Sequence, residues 1–301
     1  MIRTQLELFP KKIKKGQRTK KIIIRKSSSN YFKDWNESLA FMARNFNPGD
    51  RKYYGGMIDG DGSFNTYLPT KRKGIKLMVG LELRHDHAEP LLKLAELFDL
   101  TISKKVYLIP KGNTQPSLSV EFSGIKAKLF LFSIYPYLLE KKEKATKVLL
   151  QMGCPEQYLL KERQFSFEYL AGYTDSEGTV CFSLQHHVRP QRPTYSSYHM
   201  YYQLTSNDGG HLQFIKKSLI DLGFNHFRKD QKRTYEHVKK REGVDYNTNP
   251  QTWKPTSGPR LGGTPAQLSK FYEQLEPFIL IKHKKENMLH TMKYNHIINI
   301  R

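Results

Sequence analysis

Several things that would direct the reading elsewhere are scarce or missing in this sequence. Its 301 residues hold two cysteines, Cys154 and Cys181. These give neither a disulfide framework nor a zinc-ligand spacing, so the chain reads as reduced and intracellular. No apolar run is long enough to span a bilayer, and no basic amphipathic helix stands out to lie on one. Acidic residues are few: 28 against 50 lysines and arginines, a formal net charge of +22. An excess of that size implies a polyanionic partner, and with membranes set aside nucleic acid is the natural one.

What the chain does have is one stretch written twice. The first copy is Tyr54-Gly-Gly-Met-Ile-Asp-Gly-Asp-Gly62 and the second is Leu170-Ala-Gly-Tyr-Thr-Asp-Ser-Glu-Gly178, 116 residues further on. That distance implies duplicated domains rather than a short-period solenoid. Each copy reads as a helix ending in acid-x-acid-Gly and running straight into a strand. Gly56 and Gly60 lie one turn apart, as do Gly172 and Ser176, which leaves a flat strip where a second helix backbone can approach. Asp59 and Asp61, or Asp175 and Glu177, sit at the negative end of the helix dipole, where carboxylates are disfavoured. Paired side by side, the two helices would crowd carboxylates and free carbonyls into one place. A hard divalent cation such as Mg²⁺ would relieve that crowding.

Both copies resemble the signature of the LAGLIDADG homing endonucleases. The second is near the consensus; the first departs at its start, with Tyr54-Gly55 in place of Leu-Ala. The resemblance implies that the two helices form a domain interface and that Asp61 and Glu177 bind the catalytic metal. Backbone carbonyls of Gly60 and Ser176 would complete the protein's share of the ligands. It also implies an α+β fold of two pseudo-symmetric αββαββα domains. Each would carry a four-stranded antiparallel DNA-binding sheet packed on helices.

Length suits two such domains. Residues 1–46 read as a basic N-terminal extension, 47–153 as the first domain, 154–164 as a linker and 165–301 as the second domain. The basic run from Lys11 to Lys26 admits three readings: an organellar targeting segment, an arm on the DNA backbone, or solvated charge. A short amphipathic helix over 31–46 would dock on the body. Asn47-Pro48 starts the first motif helix, which runs to about Gly60. Strands follow at 62–69 and 75–85, a helix at 87–98, strands at 101–109 and 117–123, and a helix from Gly124 to Ser133. Pro136 opens a further helix to Gln151. The second half repeats the order. A helix covers 166–177, with strands at 179–188 and 197–206 split by a long loop, Arg189 to Thr194. A helix at 209–222, strands at 224–236 and 257–262 around a polar insertion at 237–256, and a helix at 264–275 come next. The last helix is expected from Pro277.

Sheets with one face on helices leave the other face open. The candidates there are polar, basic or aromatic. In the first half they are Asn65, Tyr67, Lys71, Arg72, Lys73, Lys76, Glu82, Arg84 and His85. In the second they are Gln185, His187, Arg189, Tyr201, Gln203, Thr205, Arg228, Lys232 and Arg233. Strand ribbons enter the major groove and read base edges, while turn lysines and arginines hold phosphates.

The family resemblance adds a lysine beside the scissile phosphate in each repeat. The segment Glu276-Pro-Phe-Ile-Leu-Ile-Lys282 gives Lys282, and Tyr135-Pro-Tyr-Leu-Leu-Glu-Lys141, aligned on its proline, gives Lys141. His85 or Asp86, and Asn207, are candidates for ordering water. The activity implied is metal-dependent phosphodiester hydrolysis at a long asymmetric duplex site, leaving short 3′ overhangs. Mg²⁺ is the expected cofactor, Mn²⁺ a substitute, and Ca²⁺ an ion that binds without supporting cleavage. A monomer is expected, as is a setting in an organelle or a microbial cytoplasm. An intron maturase that binds its own intron RNA, or a non-cleaving DNA-binding regulator, would share the fold. An intein-borne nuclease is not expected, since no splicing-like Cys or Ser start and no His-Asn end frame the chain.

Overall fold

A computed structural model describes residues 40, 42, 44–67, 76–108, 114–159, 164–189, 192–206, 209–228 and 259–299. The Lys11–Lys26 run, the insertion at 237–256, and Lys71, Arg72, Lys73, Asn207, Lys232 and Arg233 lie outside them.

The first motif helix, α1 (Pro48–Gly60), starts where Asn47 accepts a hydrogen bond from the Gly49 amide at 2.8 Å. Proline at its first position loses no intrahelical bond there. Strands β1 (Gly62–Tyr67) and β2 (Lys76–Arg84) follow, then α2 (Glu89–Phe98), β3 (Ile102–Leu108), β4 (Thr114–Ser123) and α3 (Gly124–Ile134). All four strands pair antiparallel in the order β1-β2-β4-β3. Along β2 the side chains of Leu77, Val79, Leu81 and Leu83 are buried, and the alternate residues are not. That period of two turns one sheet face onto the helices and leaves the other polar and open. Behind the sheet, Phe122 stacks on Phe130 at 4.2 Å between ring centroids, with Phe46 and Phe98 edge-on nearby. Buried rings of this size each contribute roughly 2–3 kcal/mol of transfer free energy.

The second half repeats the plan with α5 (Phe167–Glu177), whose Ser166 side chain accepts from the Tyr169 amide at 3.1 Å. Its strands are β5 (Gly178–Arg189), β6 (Arg192–Leu204), β7 (Phe227–Arg228) and β8 (Arg260–Leu261), ordered β5-β6-β8-β7. Between them lies α6 (Gly209–Asp221), and α7 (Pro265–Leu275) closes the unit behind a Thr264–Gln267 capping box. The long loop expected at Arg189–Thr194 is instead ladder, with Arg189 paired to Arg192 beyond a bulge. Most of the strand expected at 224–236 falls outside the described residues.

One expectation fails in both halves for the same reason. The helices expected from Pro136 and Pro277 do not run on from those prolines. Each proline sits in a single 3₁₀ turn, Tyr135–Tyr137 and Glu276–Phe278. An extended residue follows, Leu138 or Ile279, before α4 (Lys142–Gln151) and α8 (Lys282–Asn299) begin. The break turns backbone amides toward the carboxylates of Asp59 and Asp175, a distant contact that no local pattern reveals.

A candidate active site at the paired helix ends

Helices α1 and α5 lie side by side and bring the two motif copies together. The small residues do what their spacing suggested. A Cβ on Gly172 would meet the Tyr53 carbonyl, and one on Gly56 would meet the Tyr169 carbonyl and, at 2.6 Å, the Tyr173 nitrogen. A Cβ on Gly60 would meet the Ser176 side chain. Around this seam the halves exchange like for like, as a pseudo-two-fold axis requires. Tyr53 donates to Asp175 at 2.6 Å, and Tyr169 donates to Asp59 at 2.8 Å.

These bonds settle the first acid of each motif. Asp59 also accepts from the amides of Leu139 at 2.6 Å, Glu140 at 3.2 Å and Lys141 at 2.8 Å. Asp175 accepts from those of Leu280 at 2.8 Å and Ile281 at 3.3 Å. Both carboxyls are fully buried, and burial pushes their pKa values up against the opposing pull of those donors. They cap the segments leading into α4 and α8, which leaves Asp61 and Glu177 as the motif carboxylates at the paired helix ends.

The second acids remain. Asp61 closes α1, Glu177 closes α5, and both line one open cavity of about 550 Å³. Burial and the Glu177 carboxylate together hold Asp61 up at about 6. Burial also raises Glu177, against the pull of Lys141 and Lys284. Two carboxylates sharing a partly enclosed pocket impose these upward shifts.

Lys141 stands at the end of α1. Its Nζ donates to the carbonyls of Ile58, Gly60 and Gly62, each at 2.8 Å, and so reaches across the end of α1. The Gly60 carbonyl, a candidate metal ligand, is therefore already shared with an ammonium. Ser176 turns its hydroxyl back to the carbonyls of Gly172 and Tyr173.

Lys282 is a correction. Its side chain is 79% exposed and sits 3.8 Å from Glu286, one turn along α8. The lysine that reaches the site is Lys284. It is 5% exposed and donates to the carbonyls of Thr174 at 2.6 Å and Asp175 at 2.9 Å. Burial brings its amine down to about 8, despite the carboxylates of Asp175, Asp61 and Glu177. The proline alignment fails because Lys141 precedes α4 whereas Lys282 is the first residue of α8, and the lysine that faces inward lies two residues further along. The signal was present in the sequence as a basic run, Lys282-His283-Lys284-Lys285, but nothing local says which one points inward.

Two histidines at the cavity and a glutamate beside the helix pair were not singled out from the sequence. His87 and His283 stack across the two halves at 4.7 Å. Burial, aided by nearby cations, lowers both rings, and His87 reaches about 4, so both are neutral at physiological pH. Glu140 crosses between the halves and accepts from Ser206 at 3.2 Å and Tyr173 at 3.3 Å, with His211 Nε2 at 3.1 Å.

The sheet candidates divide by face. Asn65, Tyr67, Lys76, Glu82 and Arg84 alternate with the buried residues of β1 and β2 and therefore share the open face. Asn65 accepts from Lys144 at 3.2 Å, and Arg84 is forked onto Asp86 at 2.8 and 3.1 Å. His85 is exposed in the turn that follows. Gln185, Tyr201 and Gln203 lie on the open face of the second sheet, opposite the buried Tyr202 and Leu204. The backbone of His187, Arg189 and Arg228 lies in β5 and β7. Thr205 is a second correction: its hydroxyl donates to the Glu177 carbonyl at 3.0 Å, so it supports the site rather than facing a base.

Comparison with solved structures agrees with this architecture. I-LtrWI bound to target DNA matches with a TM-score of 0.52 at 14% identity, over 84% of this chain and 91% of that one. I-SmaMI bound to uncleaveable DNA matches at 0.52 and 14%, over 81% and 89%. I-GzeII in complex with its DNA target matches at 0.51 and 10%, over 83% and 90%. The chain has the LAGLIDADG homing endonuclease fold. No protein-family model and no curated protein matches it by sequence. The LAGLIDADG fold here carries both motif acids, a lysine at each helix end, and two open sheets on either side of them. Among the described residues no helix is long and apolar enough to cross a membrane.

Proposed function

We propose that this protein is a site-specific endonuclease that hydrolyses both strands of a long, asymmetric duplex DNA site as a monomer. The observation that carries the reading is the convergence of Asp61 and Glu177 on one cavity, between Lys141 and Lys284 and between two open sheets. Two halves that differ in sequence suit an asymmetric target, whereas a homodimer would favour a palindrome.

The donor set suits Mg²⁺: two carboxylates, hard oxygens throughout, with burial and the neighbouring Glu177 charge raising Asp61 to about 6 in the absence of a cation. Among the described residues no cluster of three or more His, Cys, Asp or Glu forms a closed metal cage. An open site that leaves room for water and substrate oxygens is what Mg²⁺ chemistry uses. Asp61 and Glu177 would hold the ion. Once bound it would supply Lewis-acid stabilisation of phosphate charge and a more acidic water.

The chain's own groups have separate tasks. Lys141 and Lys284 place positive charge beside the phosphate, where negative charge grows during attack. Arg84 and the neutral imidazoles of His87 and His283 line the same cavity, where they can orient solvent without competing for a metal-bound proton. Thr205 fixes the end of α5 so that Glu177 keeps its direction. One cut at each helix end gives a staggered break with short 3′ overhangs. Intron homing, and an organellar or microbial setting, complete the proposal.

Selection of cleaved molecules from a randomised duplex library tests it. A single long asymmetric site, cut with Mg²⁺ or Mn²⁺ and bound uncut with Ca²⁺, is the expected result. Binding without cutting under every metal would move the protein to the non-cleaving regulators. No duplex binding at all would refute the proposal and make intron RNA the next ligand to assay.

A further inference from the structure

Glu140 ties the segment that carries Lys141 to the opposite half of the molecule. Its backbone amide donates to Asp59, as do those of Leu139 and Lys141, so the main chain here is fixed to α1 of its own half. Its side chain instead bonds the second half. Oε2 accepts from the Ser206 hydroxyl at 3.2 Å and the Tyr173 hydroxyl at 3.3 Å, and His211 Nε2 stands 3.1 Å away. His211 Nε2 is also 3.0 Å from the Tyr173 hydroxyl, and the His211 side chain is buried. Tyr173 belongs to α5, His211 to α6, and Ser206 follows β6, so three groups of the second half converge on one oxygen of the first.

The pseudo-symmetric position lacks this strut. The residue matching Glu140 is Ile281, whose amide bonds Asp175 as that of Glu140 bonds Asp59. Ile281 is apolar and buried, so the chain leading to Lys284 is held on that side by packing. Hydrogen bonds to a carboxylate are strong and directional, whereas apolar burial is non-directional. Glu140 therefore fixes where the next residue begins. That residue is Lys141, whose Nζ must reach the carbonyls of Ile58, Gly60 and Gly62 at the end of α1.

We propose that Glu140, held by Ser206, Tyr173 and His211, is a positioning residue for Lys141, and that it governs the cut made at the end of α1 but not the cut made at the end of α5. This rests on the endonuclease reading above and adds an inequality between its two strand cuts. A residue that merely held the halves together would act on both cuts alike.

Single-turnover cleavage in Mg²⁺ decides it, on a duplex carrying the selected site with each strand labelled separately. The full chain is compared with Glu140→Ala, Glu140→Gln, Ser206→Ala and the double variant Glu140→Ala with Lys141→Met. Glu140→Ala should slow one strand by roughly 10- to 100-fold and leave the other near the wild-type rate, so that nicked duplex accumulates. Its affinity in Ca²⁺ should be unchanged. Glu140→Gln keeps an acceptor oxygen for the two hydroxyls and should restore most of the lost rate. Ser206→Ala removes one donor and should slow the same strand several-fold; it carries the test if Glu140→Ala does not fold. In the Lys141→Met background Glu140→Ala should add nothing further, because both changes act through one amine. Equal slowing of both strands, wild-type rates on both, or an effect that persists in full without Lys141 would each overturn the inference while leaving the endonuclease reading intact. A wild type that cuts no duplex overturns that reading as well.

Discussion

Gly172→Ala tests whether backbone contact between α1 and α5 sets the site. An ideal Cβ there stands 2.8 Å from the Tyr53 carbonyl carbon, 3.0 Å from the Met57 nitrogen, and nearer still to the Tyr53 oxygen. These are backbone atoms inside a helix and cannot swing away, so the helices must separate by about 1 Å or more. Overpacking of this kind typically costs about 1–3 kcal/mol, and alanine's better helix propensity returns somewhat under 1 of that. Separation also stretches the Tyr53–Asp175 and Tyr169–Asp59 bonds, so a net loss of about 2–4 kcal/mol is expected. The effect on rate should be larger than the effect on stability suggests. Asp61 and Glu177 sit on opposite helices, and a shift of about 1 Å in a reacting constellation can cost on the order of 100-fold. Denaturant unfolding and a cleavage assay on the same preparations measure both. Gly49→Ala is the control, because the nearest atom to its Cβ is 3.4 Å away, on the Asn47 side chain. It should leave cleavage unchanged and stability equal or slightly higher. If Gly172→Ala unfolds at the wild-type denaturant concentration and cleaves at the wild-type rate, close helix contact does not organise this site.

The two lysines of α8 should separate cleanly. Lys284→Met is expected to slow cleavage by about 100-fold or more at near-normal DNA affinity, whereas Lys282→Met, which removes one exposed pair worth about 0.3–0.5 kcal/mol, should change neither; single-turnover kinetics giving the reverse order would restore the proline alignment. For Asp61, the raised value of about 6 means that the folded chain holds a proton between roughly pH 4 and 6 that the unfolded chain has released. Without metal, stability should therefore fall as pH rises through that window, and Asp61→Asn should flatten the slope. Cleavage should show the opposite trend, dropping about tenfold per pH unit below about 6 as protons compete with the metal; thermal melts and pH–rate profiles that are flat across this range would remove the coupling.

Local patterns determined a great deal about this protein. The repeated motif, its glycine strip and its second acids were legible because helix packing faces and end residues repeat within one or two turns. Strand faces followed from alternation at period two, and the expectation of a nucleic-acid partner from net charge. The remainder depended on contacts between residues far apart in the chain. Asp59 caps amides 80 residues away and Asp175 caps amides 105 away, so the motif's first acids became structural and the helices after Pro136 and Pro277 were interrupted. Those interruptions set where α8 begins, and with it whether Lys282 or Lys284 faces Asp61 and Glu177. Sequence alone supplied the chemistry of the site because chemistry is written in residue types. Which of several similar side chains would carry it was decided by the tertiary structure, because burial and direction exist only once the chain has closed on itself.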